Sequence, residues 1–299
     1  MFNLFNKGRF AAFLALVSLN TMNFSLMAWE GYEQPSSSCE QPFYSCEQPS
    51  YSCKQASCNR LYIGAFGGGI YSNTNKVTQY GTVFLSELTS IGPLSVIAAG
   101  HLNETSSGFG GAQIGYEWSK PVYSGWSLAT AGELEVFFFK QKKEGHLINH
   151  TVIGLPERDF FDTFHMSSNV LLANVVFAIN NDCLFGFSPY VGGGIGAARV
   201  SLHQADSLQL EPLEAGINHF NSNRNDSAWT FAAQAKVGLR YNFCQMFHIF
   251  AEYRYLYIDA ANYIFGATNY TTHAPTSPWN VKVKNVSYNA WAIGLQFDL

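Results

Sequence analysis

Two residue pairs in this 299-residue chain have spacings that could serve chemistry. Glu133 and Glu135 are two apart, so on an extended strand both carboxylates face one way, as paired acid–base groups require. His165 and Ser167 have the same spacing, which suits a base beside a nucleophile. Six other histidines (His101, His146, His150, His203, His219 and His273) are scattered and make no tight cluster, so solvated loop residues are expected rather than a metal site. Cys39, Cys46, Cys53 and Cys58 follow the spacing C-x6-C-x6-C-x4-C. Structural zinc sites want closely paired ligands, so disulfide chemistry is the expected use. The GGG runs at 67–69 and 192–194 sit inside strand-like segments and are not phosphate loops. No cofactor is expected.

Composition limits what can position these residues. Charged residues make up 13%, against roughly 25% in an ordinary domain. Aromatic residues reach 16%, which excludes a disordered chain. A net charge of −4 leaves no basic footprint, so nucleic acid is not an expected partner. Mean hydropathy is −0.02, which excludes a helical membrane protein. Abundant Gly and aromatics with little charge fit the transmembrane β-barrel, whose strands alternate apolar and polar.

Residues 1–28 read as a secretory signal: Lys7 and Arg9 precede the apolar run 10–19, and cleavage is expected after Ala28. Three near copies of a seven-residue unit, EQPSSSC, EQPFYSC and EQPSYSC, occupy 33–53, with a decayed fourth ending at Cys58. Pro at every period forbids a coiled coil, and few aliphatic residues are present to form a core. Residues 29–59 are therefore expected to be a disordered periplasmic arm.

From residue 60 onward eight alternating segments recur: 61–73, 108–119, 125–139, 167–180, 185–201, 228–243, 246–259 and 286–299. In the last, Trp291, Ile293, Leu295, Phe297 and Leu299 share one face, opposite Ala290, Ala292, Gly294, Gln296 and Asp298. Each segment is long enough to span a membrane as a tilted strand. Connections alternate between short (120–124, 181–184, 244–245) and long (74–107, 140–166, 202–227, 260–285), as in outer-membrane barrels with short periplasmic turns and long outer loops. The fold expected for 60–299 is all-β: an eight-stranded antiparallel up-and-down barrel in the bacterial outer membrane. The short turns hold Cys183 and Cys244, so all six cysteines are expected on the periplasmic side as disulfide candidates.

With LYIGAFGGG in the first segment, YVGGGIGAA at 190–198 and the end Gly294-Leu-Gln-Phe297-Asp-Leu299, the chain resembles the OmpA-like and opacity-type outer-membrane barrels. The resemblance implies that Gly294, Phe297 and Leu299 form a signal for the barrel-assembly machinery, although Leu replaces the family's usual final Phe. The arm is no part of that pattern. By analogy, it resembles disulfide-linked envelope proteins of some intracellular bacteria.

An eight-stranded lumen is filled by its own side chains. Gln113, Glu117, Glu133, Glu135, Lys236, Arg240, Glu252 and Arg254 all have interior parity, and buried charges of both signs should pair. The reading preferred is a structural plug; a gated pore or proton path is the rival. Acid–base catalysis by Glu133 and Glu135 is set aside, because such a lumen rarely admits a substrate. The expected function is a non-enzymatic outer-membrane protein that presents surface loops in adhesion or envelope integrity. Its partners would be outer-membrane lipid, the assembly machinery, other envelope proteins through disulfides, and a host or surface ligand at the loops. A small porin is the first alternative. A lipid A deacylase is the second, since the His165–Ser167 spacing is similar to the pair in those enzymes, although the rest of their pattern is missing.

Overall fold

The computed structural model describes residues 59–85, 93–123, 126–149, 158–181, 184–243 and 246–299; within these, the side chains of 121–123 and 158 are not described. The expected signal, the arm except Asn59, and all six cysteines lie outside the described residues. No described helix is long and apolar enough to cross a membrane.

The strands are β1 (Arg60–Ser72), β2 (Asn75–Val83), β3 (Leu94–Leu102), β4 (Thr105–Tyr123), β5 (Trp126–Asn149), β6 (Arg158–Asn181), β7 (Phe187–Glu211), β8 (Asp226–Asn242), β9 (Phe247–Ile258), β10 (Ala261–Phe265), β11 (Trp279–Val283) and β12 (Val286–Asp298). Eight of them close a ring in the order β1, β4, β5, β6, β7, β8, β9, β12 and back to β1, every pair antiparallel. These are the eight segments expected from the alternation. Closure satisfies every edge, which a strand in lipid requires.

The ring is inverted relative to a soluble barrel. On β5, Trp126, Leu128, Leu134, Val136 and Phe138 point outward, while Ala129, Ala131, Glu133 and Glu135 point in. Trp291 and Ile293 on β12 are 69% and 68% exposed. Lipid covers such a belt, and the charged interior is paid for by internal pairing. Apolar exterior and charge-filled interior together make this a transmembrane β-barrel of the bacterial outer membrane.

The belt ends sharply. After Phe138 the next outward residues of β5 are Lys140, Lys142, Glu144 and His146, before Ile148. On the neighbouring strand, Val136 pairs with Leu171 and Phe138 with Asn169, so the boundary lies at the same height. From Trp126 to Phe138 a strand tilted by about 40° rises roughly 30 Å, close to the hydrocarbon core.

Above the boundary the structure departs from expectation. The segments 74–107, 140–166, 202–227 and 260–285 are not simply loops. β5, β6 and β7 run on past the belt for several residues, and β3, β2, β11 and β10 extend the sheet from the upper half of β5. The far edge returns to the barrel: Ile264 N–H donates to the Asp226 carboxylate at 2.6 Å, and Gly266 N–H to the Asn223 carbonyl at 2.8 Å. The result is an outer dome with its aromatic core inside and an exterior that mixes polar residues with exposed apolar ones such as Leu213 and Ile264. Leu147, Phe160, Phe164, Phe220, Tyr263, Phe265 and Trp279 are buried within it. Phe164, Phe220 and Phe265 stack with centroids 4.7–6.4 Å apart.

Candidate functional site

Inside the membrane tier the charges form a column of two paired clusters. Nearest the short-turn rim, Arg60 Nη1 donates to Asp298 at 2.8 Å, and His248 Nε2 lies 2.9 Å from the same carboxylate. Glu117 sits between Arg60 and Arg240, 2.9 Å from each. Above it, Lys236 Nζ binds Glu133 at 2.5 Å and Glu135 at 3.3 Å. Arg254 pairs with Glu135 and with Glu252, its Nε donating to Glu252 at 2.6 Å. Neutral groups fill the remaining valences. Tyr62 and Tyr190 hydroxyls donate to Glu133 and Glu252, at 2.5 and 2.8 Å. Asn174 and Gln234 amides donate to Glu135, at 3.0 and 3.2 Å.

The structure thus pairs all seven expected lumen charges, in two clusters: Glu117 with Arg240, and Glu133, Glu135, Lys236, Glu252 and Arg254 together. Gln113 is buried beside them. Sequence reasoning missed Arg60, Tyr62, Tyr190, Asn174 and Gln234 as members. Their inward parity is visible in the sequence, but their partners lie across the barrel, where strand spacing says nothing.

Glu133 and Glu135 do not face an open substrate space. Arg254 lies under a lid of rings, with its guanidinium 4.0 Å from the Phe66 centroid and within 6 Å of Phe109 and Phe137. Higher still, a cavity of about 20 Å³ is lined by Lys143, Tyr263 and Tyr288 among others, room for about one water. Glycines make this packing fit: a Cβ at Gly115 would lie 2.4 Å from the Tyr62 ring.

His165 and Ser167 both lie within β6, above the belt, although the expected connection ran to 166, and His165 is exposed on the outer face. His165 pairs with His203 on β7 and Ser167 with Ser201. Of the assembly-signal residues, Gly294 faces inward on β12, while Leu299 is exposed at the short-turn rim.

The expectation that the loop histidines are scattered is corrected for two of them. His219 and His273 are brought together in the dome, with ring centroids 5.3 Å apart, because the connections after β7 and β10 fold against each other. Glu214 lies between them, 3.5 Å from His219 Nε2 and 3.2 Å from His273 Nε2. His219 is buried against Phe160 and Trp279 rather than solvated. These two histidines come from different connections, so no sequence spacing could have paired them.

No protein-family model and no curated protein sequence matches the chain. In structure the chain is similar to Neisserial surface protein A (13% identity, 80% of this chain and 97% of that one, TM-score 0.31). It is also similar to the outer membrane protease OmpT from Escherichia coli (10%, 85% and 100%, TM-score 0.40). A third similarity is to the outer membrane protein OprG from Pseudomonas aeruginosa (13%, 80% and 97%, TM-score 0.38).

Proposed function

We propose that this chain is a non-enzymatic outer-membrane protein whose barrel is an anchor and whose outer dome is the working surface. The observation that carries this reading is the filled lumen: a paired-charge column closed above by Phe66, Phe109 and Phe137. A barrel that conducts needs a continuous wet path, and a barrel that catalyses inside its lumen needs room for substrate. Neither fits a lumen filled by buried, paired side chains. The dome exterior, with Lys140, Lys142, His146 and His203 among its exposed residues, suits contact with a host or surface ligand in adhesion or envelope integrity.

Planar-bilayer recording of the refolded chain tests the anchor reading. Silence is expected; discrete, reproducible openings would establish the porin alternative instead. The deacylase alternative rests on His165 and Ser167, both above the belt. Incubation with lipid A should release no fatty acid, and release abolished by Ser167→Ala would overturn the non-enzyme reading.

The cysteines add a second part. Cys39, Cys46, Cys53, Cys58, Cys183 and Cys244 would cross-link the protein to itself or to other envelope proteins in an oxidising compartment. Non-reducing gels of alkylated envelopes should show multimers that dissolve with reductant. Six freely alkylated thiols on a monomer would refute cross-linking.

A further inference from the structure

The geometry points to a divalent-metal site in the dome, formed by Glu214, His219 and His273 and suited to zinc. One ligand atom from each of the three lies within 4.8 Å of the other two. Each imidazole is already oriented by its other nitrogen. His219 Nδ1 is 2.9 Å from the Ser207 carbonyl, and His273 Nδ1 is 2.6 Å from the Ala274 carbonyl. A carbonyl only accepts, so both Nδ1 atoms carry a proton, and in the neutral imidazoles both Nε2 atoms present lone pairs. Those lone pairs face the carboxylate of Glu214, itself an acceptor when ionised. Three acceptors converge on one point, an arrangement that a cation satisfies and that neutral imidazoles cannot satisfy among themselves.

The spacing agrees with that role. Zinc bonds of about 2.0–2.1 Å in a tetrahedron place ligand atoms roughly 3.3–3.4 Å apart. The two Glu214–histidine separations, 3.5 and 3.2 Å, bracket this value. Carbonyl-bound imidazoles are also the second shell that zinc histidines normally have. Calcium and magnesium prefer oxygen cages, so the nitrogen pair selects against them.

The site is held before any ion arrives. His219 packs edge-on to Phe160 and Trp279, at 5.3 and 5.9 Å. Its carbonyl accepts from Thr268 Oγ1 at 3.0 Å, and that hydroxyl accepts from Trp279 Nε1 at 3.2 Å. Glu214 is partly exposed, while its Oε2, the atom that faces both histidines, is buried. The ion would clip the connection after β7 to the connection after β10, independently of the contact role proposed above.

The test is titration of Zn²⁺ into the full-length protein folded in detergent, with thiols alkylated so that cysteines do not compete. Calorimetry should give one ion per chain. Co²⁺ in its place should give the visible bands of a four-coordinate site. His219→Ala, His273→Ala and Glu214→Gln should each weaken binding at least tenfold, the scale on which even second-shell losses act. His165→Ala and His203→Ala, on the dome exterior, should leave it unchanged. Heat-modifiable gel migration confirms that each variant is folded; should His219→Ala fail to fold, His273→Gln carries the test. Absence of zinc binding, binding that survives loss of both His219 and His273, or binding that follows His165 and His203 would overturn the site.

Discussion

Arg254 holds its guanidinium 4.0 Å above the ring of Phe66 while its nitrogens bind Glu135 and Glu252. One side chain therefore joins the charged column to the aromatic lid. Its loss would leave buried Glu252 with no counter-ion and buried Glu135 with Lys236 alone, in a low-dielectric lumen. Breaking a buried pair costs on the order of 3–5 kcal/mol, whereas Arg199 points outward from β7 and strands nothing. Arg254→Ala should lower the urea midpoint in detergent well below that of Arg199→Ala. Equal midpoints would count against a structural plug.

The height of the belt makes a second prediction. Leu134 lies inside it and Lys142 above it, both facing outward on β5. A basic residue near the bilayer midplane costs about 2–4 kcal/mol, falling to about 0–1 at the interface. Leu134→Arg should lower folding stability in lipid vesicles by that larger amount. Lys142→Leu should change it little. Equal effects would place the membrane elsewhere on the strand.

How far the sequence could be read depended on polarity. The membrane tier was legible because one rule, apolar out and polar in, holds from Trp126 to Phe138 and on the other strands of the ring. At Lys140 the rule reverses while the strand continues, so Lys140, Lys142 and Glu144 read as a charged loop. β2, β3, β10 and β11 were hidden for the same reason, two of them being only five residues long. In the lumen, parity marked which residues face inward. It could not say that Lys236 reaches Glu133 or that Arg240 reaches Glu117, because those pairs depend on how the closed ring staggers its strands.

Asp162 sets a pH dependence in the dome. Its carboxyl is fully buried, and burial pushes it from 3.8 up to about 7, with Asp206 adding to the rise and a Ser207 hydrogen bond opposing it. Between these values the folded state keeps a proton that the unfolded chain has lost. The contribution to stability is therefore full below the unfolded value and is lost as pH rises through about 7. At about 1.4 kcal/mol per unit, the ceiling is about 4 kcal/mol. Asp162→Asn should behave like the parent near pH 4 and gain on it up to pH 8. Unfolding midpoints of the two proteins that stay parallel across that range would refute it.

Gly294 separates packing from recognition at the end of the chain. A Cβ there would lie 2.3 Å from the Phe250 ring and 2.7 Å from the Ala65 carbonyl. Backbone cannot yield as a ring can, so Gly294→Ala should slow refolding in detergent and lower the stability reached. Phe250→Ala removes the nearer obstacle and opens a cavity that the new methyl partly fills. The double variant should therefore recover part of the loss, with a coupling of about 0.5–3 kcal/mol as expected for residues in contact. Assembly in cells is a different readout, because the machinery would meet Gly294 before the barrel closes. If the double variant refolds in detergent yet fails to reach the outer membrane, Gly294 is read by the machinery as well as packed. If both steps recover together, packing alone explains the glycine. No recovery in detergent would show that the Ala65 carbonyl, not Phe250, sets the limit.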